Sequence, residues 1–304
     1  MQISTSLFYS NATTRMGKMS ERASELQTQI ATGKRIIRPS DDPAASQQIA
    51  ELDRKDADAG VFRDNMTLAG SLLKQADSVL GQISTQLTRA TELTTQAATG
   101  TQTDASRKII GIELKSIVES LVALANSKNV RGQPLFGNAV GGAAVTTGTD
   151  ASGNPSFTYA AATPAVSEVP IADGQSVQAT ESAERIFSLG GGDNTLAMLT
   201  RLATALEAGG NVSAVTGDSL DALGKAVNQV ADVQSSVGAR GARVELQQQL
   251  LTTANTDRAE LRGKLEQVDV TEAIVQLQQM MTALSASQAS FSKLSSLSLF
   301  DYLK

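Results

Sequence analysis

Residues 59–90, AGVFRDNMTLAGSLLKQADSVLGQISTQLTRA, decide the fold. Apolar side chains recur there at alternating intervals of three and four, through Ala59, Phe62, Met66, Ala69, Leu73, Ala76, Leu80, Ile83, Leu87 and Ala90. This spacing predicts an amphipathic helix that buries one stripe in a bundle. Asp42 suits the N-cap and Pro43 the first helical position. The helix is therefore predicted to run from Pro43 to about Thr99, roughly 85 Å at about 1.5 Å per residue.

The same periodicity occurs on both sides of this helix. The N-terminal stripe ends at Gly33, followed by Lys34 and Arg35, which is typical of a helix C-terminus. After a polar break at 100–104, a third helix is predicted to reverse direction and lie antiparallel on the second. The two stripes are Ala12, Met16, Met19, Ala23, Leu26 and Ile30, and then Ile110, Leu114, Ile117, Leu121 and Leu124.

The last third of the chain is predicted to be helical again. One seam recurs every seven residues, at Leu223, Val230, Val237, Val244 and Leu251, but polar residues such as Gln248 and Asn255 hold alternate seam positions. Polar seam residues weaken a coiled coil and can fix its register. The final helix carries Ile274, Leu277, Met281, Leu284, Phe291 and Leu294.

The middle of the chain differs in composition from both ends. Residues 132–184 contain no Lys or Arg and four of the six prolines, and residues 156–159 alternate like a half-buried strand. This predicts a small β-rich insert, after which the glycines at 190–192 form a hinge. Residues 193–195 then start a new helix.

These patterns predict a mainly α fold, in which the N- and C-terminal parts form a long antiparallel helical bundle or coiled coil around the inserted β-rich domain. Residues 1–42 with 266–304 would form a terminal coiled-coil domain, 43–131 with 193–265 the long bundle, and 132–192 the insert. The predicted bundle core is Phe62, Met66, Leu73, Leu80, Ile83, Leu87, Ile110, Leu114, Ile117, Leu121, Val230, Val237, Val244 and Leu251.

Composition argues against most kinds of chemistry. The chain has no Cys and no His, so a thiol nucleophile, an imidazole base and the usual zinc ligands are all missing. Capping explains Asp41 and Asp42, and no strand precedes Gly33 as a phosphate loop would require. We therefore expect no enzyme, no catalytic residue, no metal and no cofactor. The net charge of −5 gives no basic surface for nucleic acid.

The two ends of the chain are short of charge. Residues 1–14 carry none, and residues 273–300 carry only Lys293. The last helix is apolar on more than one side, so one partner helix cannot cover it. We expect these surfaces to be buried between subunits. The predicted assembly interface is Met16, Met19, Leu26, Ile30, Ile274, Leu277, Met281, Leu284, Phe291, Leu294, Leu299 and Phe300.

Both ends also resemble the flagellin superfamily of bacterial axial proteins. The resemblance rests on MQIST at 1–5, on ATGKRIIRPSDDP at 31–43 and on the paired terminal helices. Within the superfamily, ANSKNVRGQPLFGN at 125–138 and the ending LSLFDYL at 297–303 favour the hook-filament junction proteins over flagellins.

The resemblance implies a structural adaptor that assembles as a ring between the hook and the filament. Its implied partners are further copies of itself, the first hook-filament junction protein, flagellin and a flagellar export chaperone. The terminal coiled coil would line the central channel, and the insert would face outward. The implied location is the extracellular flagellum, reached by type III export, which agrees with the lack of a cleavable signal sequence at residues 1–7.

Two alternatives remain open at this point. A short flagellin that builds the filament itself would share every helical feature. A membrane-active translocator would account for the apolar last helix. However, Gln276, Gln278 and Gln279 are costly in lipid, and no stretch reaches the length of about 18 apolar residues that a membrane span needs, so we expect no membrane partner.

Overall fold

The computed structural model describes residues 2–129, 132–137, 142–149, 155–160, 168–190 and 193–301. Its helices are α1 (Gln2–Thr32), α2 (Pro43–Ala98), α3 (Asp104–Ala125), α4 (Ala183–Phe187), α5 (Thr195–Ala208), α6 (Ser213–Glu266) and α7 (Val270–Asp301). Its strands are β1 (Val145–Thr149), β2 (Pro155–Tyr159), β3 (Glu168–Ala172), β4 (Gln175–Gln178), β5 (Ser188–Gly190) and β6 (Asp193–Asn194). The predicted mainly α fold with a small β-containing insertion is confirmed.

The predicted helix boundaries at 32–43 are confirmed. Gly33 follows α1 with φ of +69°, a conformation that favours glycine, and this ends the helix. At the start of α2, Oδ1 of Asp42 accepts the backbone N–H of Ala45 at 3.0 Å. The chain therefore leaves one long helix and enters the next through a turn built by its own polar side chains.

The chain forms two compact units. The terminal unit comprises Met1–Asp58 and Thr253–Lys304, and the central unit comprises Ala59–Thr252. Both α2 and α6 contribute residues to each unit. The predicted division into three domains stays a prediction.

The central unit has one hydrophobic core. Helices α2 and α6 are antiparallel there, because Asp77 hydrogen-bonds to Gln234 while Gly70 lies beside Val244. Of the predicted core positions, Phe62 and Leu251 are partly buried. The others are buried: Met66, Leu73, Leu80, Ile83, Leu87, Ile110, Leu114, Ile117, Leu121, Val230, Val237 and Val244.

Helices α3 and α5 approach each other closely at one glycine. A Cβ atom placed on Gly111 would lie 2.8 Å from the carbonyl oxygen of Ala203, which is closer than van der Waals contact allows. Glycine at this position lets the α5 backbone pack directly on α3. The apolar face of α5, which includes Leu199 and Leu202, is buried in the same core.

The strands form three separate two-stranded antiparallel sheets, β1–β2, β3–β4 and β5–β6. The strand predicted at 156–159 is confirmed as part of β2, and the predicted helix start is confirmed by the side chain of Asn194, which accepts the N–H of Ala197. Of the predicted glycine hinge, residues 191–192 lie outside the described residues. Two-stranded sheets are marginal alone, so these depend on packing against the helices.

Two contacts hold the first part of the insert, defined as residues 132–192, against the helices. The side chain of Asn126 pairs with both backbone groups of Val145, at 2.9 and 3.0 Å. Leu135 and Phe136 are buried in the core, and the carbonyl of Phe136 accepts the N–H of Ala183 at 2.9 Å. Asn126 thus fixes β1 at the end of α3, and the Phe136–Ala183 bond joins the beginning of the insert to α4.

We predict unequal effects on stability for alanine substitutions at two adjacent isoleucines of α3. Ile110 is 4% exposed in the core and Ile109 is 67% exposed. Ile110→Ala is expected to lower the free energy of unfolding by about 2–4 kcal/mol, because it leaves a cavity. Ile109→Ala, the matched control, is expected to change it by less than about 0.5 kcal/mol. Urea unfolding followed by circular dichroism at 222 nm measures both, and equal effects would contradict the placement of α3.

Candidate assembly interface

Helices α1 and α7 pair through a seam in the terminal unit. On α1, Leu26 is buried, and Met16, Met19 and Ile30 are half-buried. On α7, Ala273 is buried, and Leu277, Leu284 and Phe291 are half-buried. The N-terminal stripe of the sequence therefore faces the seam.

Aromatic side chains extend the seam towards the chain ends. The rings of Tyr9 and Phe291 lie edge to face, with centroids 5.3 Å apart and an interplanar angle of 89°. The Tyr9 hydroxyl donates to the carbonyl of Leu294 at 3.4 Å. Such ring pairs add about 0.5–1.5 kcal/mol beyond the area they bury.

Seven apolar side chains of the α1–α7 pair are exposed. On α7 they are Val270, Ile274, Val275, Met281 and Leu294, which are 41–47% exposed. On α1, Leu7 and Phe8 are more than half exposed. We call these seven residues the outer face. Exposed apolar side chains in this number on one helix pair are typical of an interaction site.

The structure divides the interface residues predicted on α7 between two faces. Leu277, Leu284 and Phe291 are half-buried, whereas Ile274, Met281 and Leu294 are exposed. The predicted stripe mixed the two faces because α7 is apolar on both sides, so spacing alone allowed several neighbouring stripes. The side chains of Leu299 and Phe300 lie outside the described residues.

The loop between α1 and α2 pairs with the loop between α6 and α7. Lys34 and Gln267 form an antiparallel bridge, in which Arg35 N donates to the Glu266 carbonyl at 2.6 Å and Val268 N donates to the Gly33 carbonyl at 3.1 Å. The Lys34 ammonium also lies 3.1 Å from the Glu266 carboxylate. This closure holds the beginning of α7 beside the end of α1.

The Arg35 side chain adds hydrogen bonds between the α1–α2 loop and the end of α6. Its guanidinium donates to the Leu265 carbonyl at 3.1 Å and to Oδ2 of Asp42 at 3.3 Å. The amide of Gln29 donates to the Arg35 carbonyl at 2.8 Å. Sequence reasoning interpreted Arg35 only as a basic residue near a helix end and missed this role, because the Leu265 carbonyl lies on α6, 230 residues away in the sequence.

Asp41 and Asp42 shape the turn between α1 and α2. Oδ2 of Asp41 accepts the N–H groups of Arg38 and Ile37 at 2.8 and 3.0 Å, and these bonds lower the pKa of its carboxyl. The N–H of Ala45 lowers the pKa of Asp42, assisted by Arg35. Asp42 therefore caps α2, which agrees with the sequence interpretation, whereas Asp41 closes the preceding turn by accepting from residues before it and does not cap the helix.

An ion-pair cluster joins α2 to α6 within the terminal unit. Arg258 contacts Asp56 at 2.7 Å, and Arg262 contacts Asp53 at 2.6 Å and Asp56 at 2.9 Å. Arg258 also hydrogen-bonds to Asn255, one of the polar seam positions noted in the sequence. Charged pairs replace apolar contacts where the seven-residue seam of α6 ends. The periodicity of the sequence could reveal the gap in the apolar seam, but it could not identify the aspartates that pair with Arg258 and Arg262 there.

The described part of the chain offers no group of three or more Asp or Glu side chains placed to hold a metal ion. None of its helices combines the length and apolarity that crossing a bilayer requires.

Sequence family models match both helical parts of the chain. Residues 3–140 match the N-terminal helical region of bacterial flagellin, and residues 220–303 match its C-terminal helical region. The chain belongs to the flagellin family. The two matched regions include α1, α2, α3 and α7 and most of α6, and hence both sides of the seam and the outer face.

Individual relatives include both junction proteins and flagellins. Flagellar hook-associated protein 3 of Salmonella typhimurium is 32% identical over 136 residues, which is 45% of this chain and 43% of that protein. Flagellin of Listeria monocytogenes is 27% identical over 152 residues, 50% of this chain and 53% of that protein. The matches thus span about half the length of these curated relatives.

A solved structure shares the fold. A structure from Vibrio parahaemolyticus, described as a flagellar hook-associated protein, superposes with a TM-score of 0.68 at 23% identity. It covers 75% of this chain and 100% of the Vibrio chain. At this identity the likeness establishes the fold alone.

We predict an acid-sensitive turn at residues 37–41. The Asp41 pKa is lowered below 3.8 in the folded chain, so its stabilising contribution is present above that pH and is lost as pH falls through the folded value. Two-dimensional NMR should show the Ile37 and Arg38 amide signals shifting with a midpoint below pH 3.8. Asp41→Asn is the control, because it removes the titration. A midpoint at or above 3.8 would contradict the hydrogen-bonded turn.

Proposed function

We propose that the protein is a structural adaptor of the bacterial flagellum. In this proposal it assembles as a ring that joins the hook, with its first junction protein, to the flagellin filament. The observation that carries the proposal is the open outer face on a helix pair of a flagellin-family chain. The relatives named hook-associated protein 3 support the junction role over that of the filament subunit.

The outer face supplies a driving force for assembly. Fully burying a side chain of the size of Ile or Met contributes about 1.5–3 kcal/mol. The five α7 residues are a little less than half exposed, so covering them contributes roughly 3–7 kcal/mol per subunit before entropy losses. In a ring each subunit meets neighbours on both sides, so this contribution recurs at every contact.

The remaining parts of the proposal follow from the flagellar role. The terminal coiled coil lines the channel, the insert faces outward, and the protein acts without enzymatic chemistry. Its partners are further copies of itself, the first junction protein, flagellin and an export chaperone. It acts outside the cell after type III export. No nucleic acid and no membrane takes part.

The second candidate is a short flagellin, favoured by the match to the Listeria protein. Growth seeded on purified flagellar fragments distinguishes the junction protein from the flagellin. Added to purified filament or hook fragments, a junction protein is expected to bind only at the ends and stop after a short segment, which negative-stain microscopy with immunogold labelling measures. Unlimited growth would reverse the assignment, and failure to bind any fragment would refute both candidates.

We predict that the two faces of α7 respond differently to the same charge. Met281→Asp places a carboxylate on the outer face, so it should abolish assembly on fragments and leave the free energy of unfolding within about 0.5 kcal/mol. Leu284→Asp places one at the α1–α7 seam, so it should also reduce the helical signal of the free chain. Circular dichroism and co-sedimentation provide the two measurements.

Met281→Leu is the matched control for the outer face. It keeps an apolar side chain of similar volume, so assembly should persist. If Met281→Asp still assembled normally, the outer face would not be the subunit interface.

A further inference from the structure

We propose that a buried ionic lock between Glu181 of the insert and Arg240 of α6 makes the folding of residues 168–187 conditional on contact with the helices. This part of the insert would then be a docked element rather than a module that is stable alone. The inference is independent of the flagellar function, because all of its contacts lie within the central unit.

The charge distribution of the insert is one-sided. Residues 132–184 contain five acidic side chains and no basic one, a net charge of −5 that equals the net charge of the whole chain. Among the acidic residues that the structure describes, only Glu181 is buried, with 3% of its surface exposed. A buried carboxylate requires a cation, and no residue between 132 and 184 can provide one.

Two arginines outside residues 132–184 provide the positive charge. Arg240 donates to Oε2 of Glu181 at 2.5 Å, and Arg185 donates to the same atom at 2.7 Å. The Arg240 side chain is 16% exposed, whereas that of Arg185, which belongs to α4 and so to residues 168–187 themselves, is 47% exposed. Arg240 is therefore the partner whose removal would leave the buried charge poorly compensated.

Arg240 also fixes the backbone of the insert. Its second terminal nitrogen donates to the carbonyls of Gln178 and Thr180 at 2.9 and 3.2 Å. A planar guanidinium can hold a carboxylate and two carbonyls at once, which a lysine ammonium cannot do in the same geometry. One side chain of α6 thus binds the end of β4 and the segment that follows it.

Other side chains of the long helices complete the docking. Asn65 of α2 donates to the Pro170 carbonyl at 2.9 Å, and Gln229 of α6 donates to the Arg185 carbonyl at 2.8 Å. Ile171, Val177 and Phe187 are buried in the same core as the long helices. Detached from α2 and α6, residues 168–187 would keep only the exposed Arg185 as a cation for Glu181 and would lose Arg240 and their apolar contacts.

Hydrogen–deuterium exchange of the full chain tests the lock. In Arg240→Met, amide exchange in residues 168–187 is expected to accelerate about 100-fold or more, because the buried Glu181 carboxylate keeps only the exposed Arg185 as a partner. Amides in the middle of α2 and α3 should keep their wild-type rates. Arg201→Met is the control, because it removes an arginine from an exposed pair with Asp193 and should leave residues 168–187 unchanged.

A double variant separates the ionic lock from simple packing. Arg240→Met with Glu181→Leu removes both charges, so exchange in residues 168–187 should return to within about 10-fold of wild type. Arg240→Lys should give an exchange rate between those of the wild type and Arg240→Met, since it keeps the positive charge and loses the planar guanidinium that binds several acceptors at once. Unchanged exchange in Arg240→Met, or a double variant as fast as that single one, would overturn the proposal.

Discussion

A helix that is apolar on two sides has to be covered on two sides, and this constraint governs the terminal unit. The pairing with α1 covers the α7 side that carries Ala273, Leu284 and Phe291. It leaves Ile274 and Met281 open to water. The intramolecular seam and the open surface thus lie on one helix, and the flagellar proposal assigns that open surface to neighbouring subunits.

The polar features of the long helices lie where apolar contacts end. Arg35 and Asp42 close the corner between the two connecting loops, and Asp56 with Arg258 takes the place of the seam near the end of α6. Ion pairs that solvent still reaches contribute little free energy, commonly below about 1 kcal/mol. Their role here is to position the chain, because each ion pair determines which two segments lie next to each other.

The insert depends on the long helices for apolar contact and for Arg240, the more buried of the two cations that pair with Glu181. Its hairpins are two-stranded, its residues up to 184 contain no cation, and its buried side chains belong to the core of the long helices. This dependence agrees with the position of the insert between α3 and α5, whose backbones meet closely at Gly111. The chain folds the β part against an existing helical surface instead of building a second core.

The sequence by itself determined the long helices, their ends at Gly33 and Pro43, and the side of α2 that is buried, because a 3–4 stripe of apolar residues and local caps are short-range signals. It also determined that the ends of the chain lack charge. Only the tertiary structure decided which side of α7 pairs with α1, because several apolar stripes overlap on that helix. Only the tertiary structure paired Glu181 with Arg240 and Arg35 with Leu265, because each contact joins residues far apart in the chain, which no periodicity can reveal.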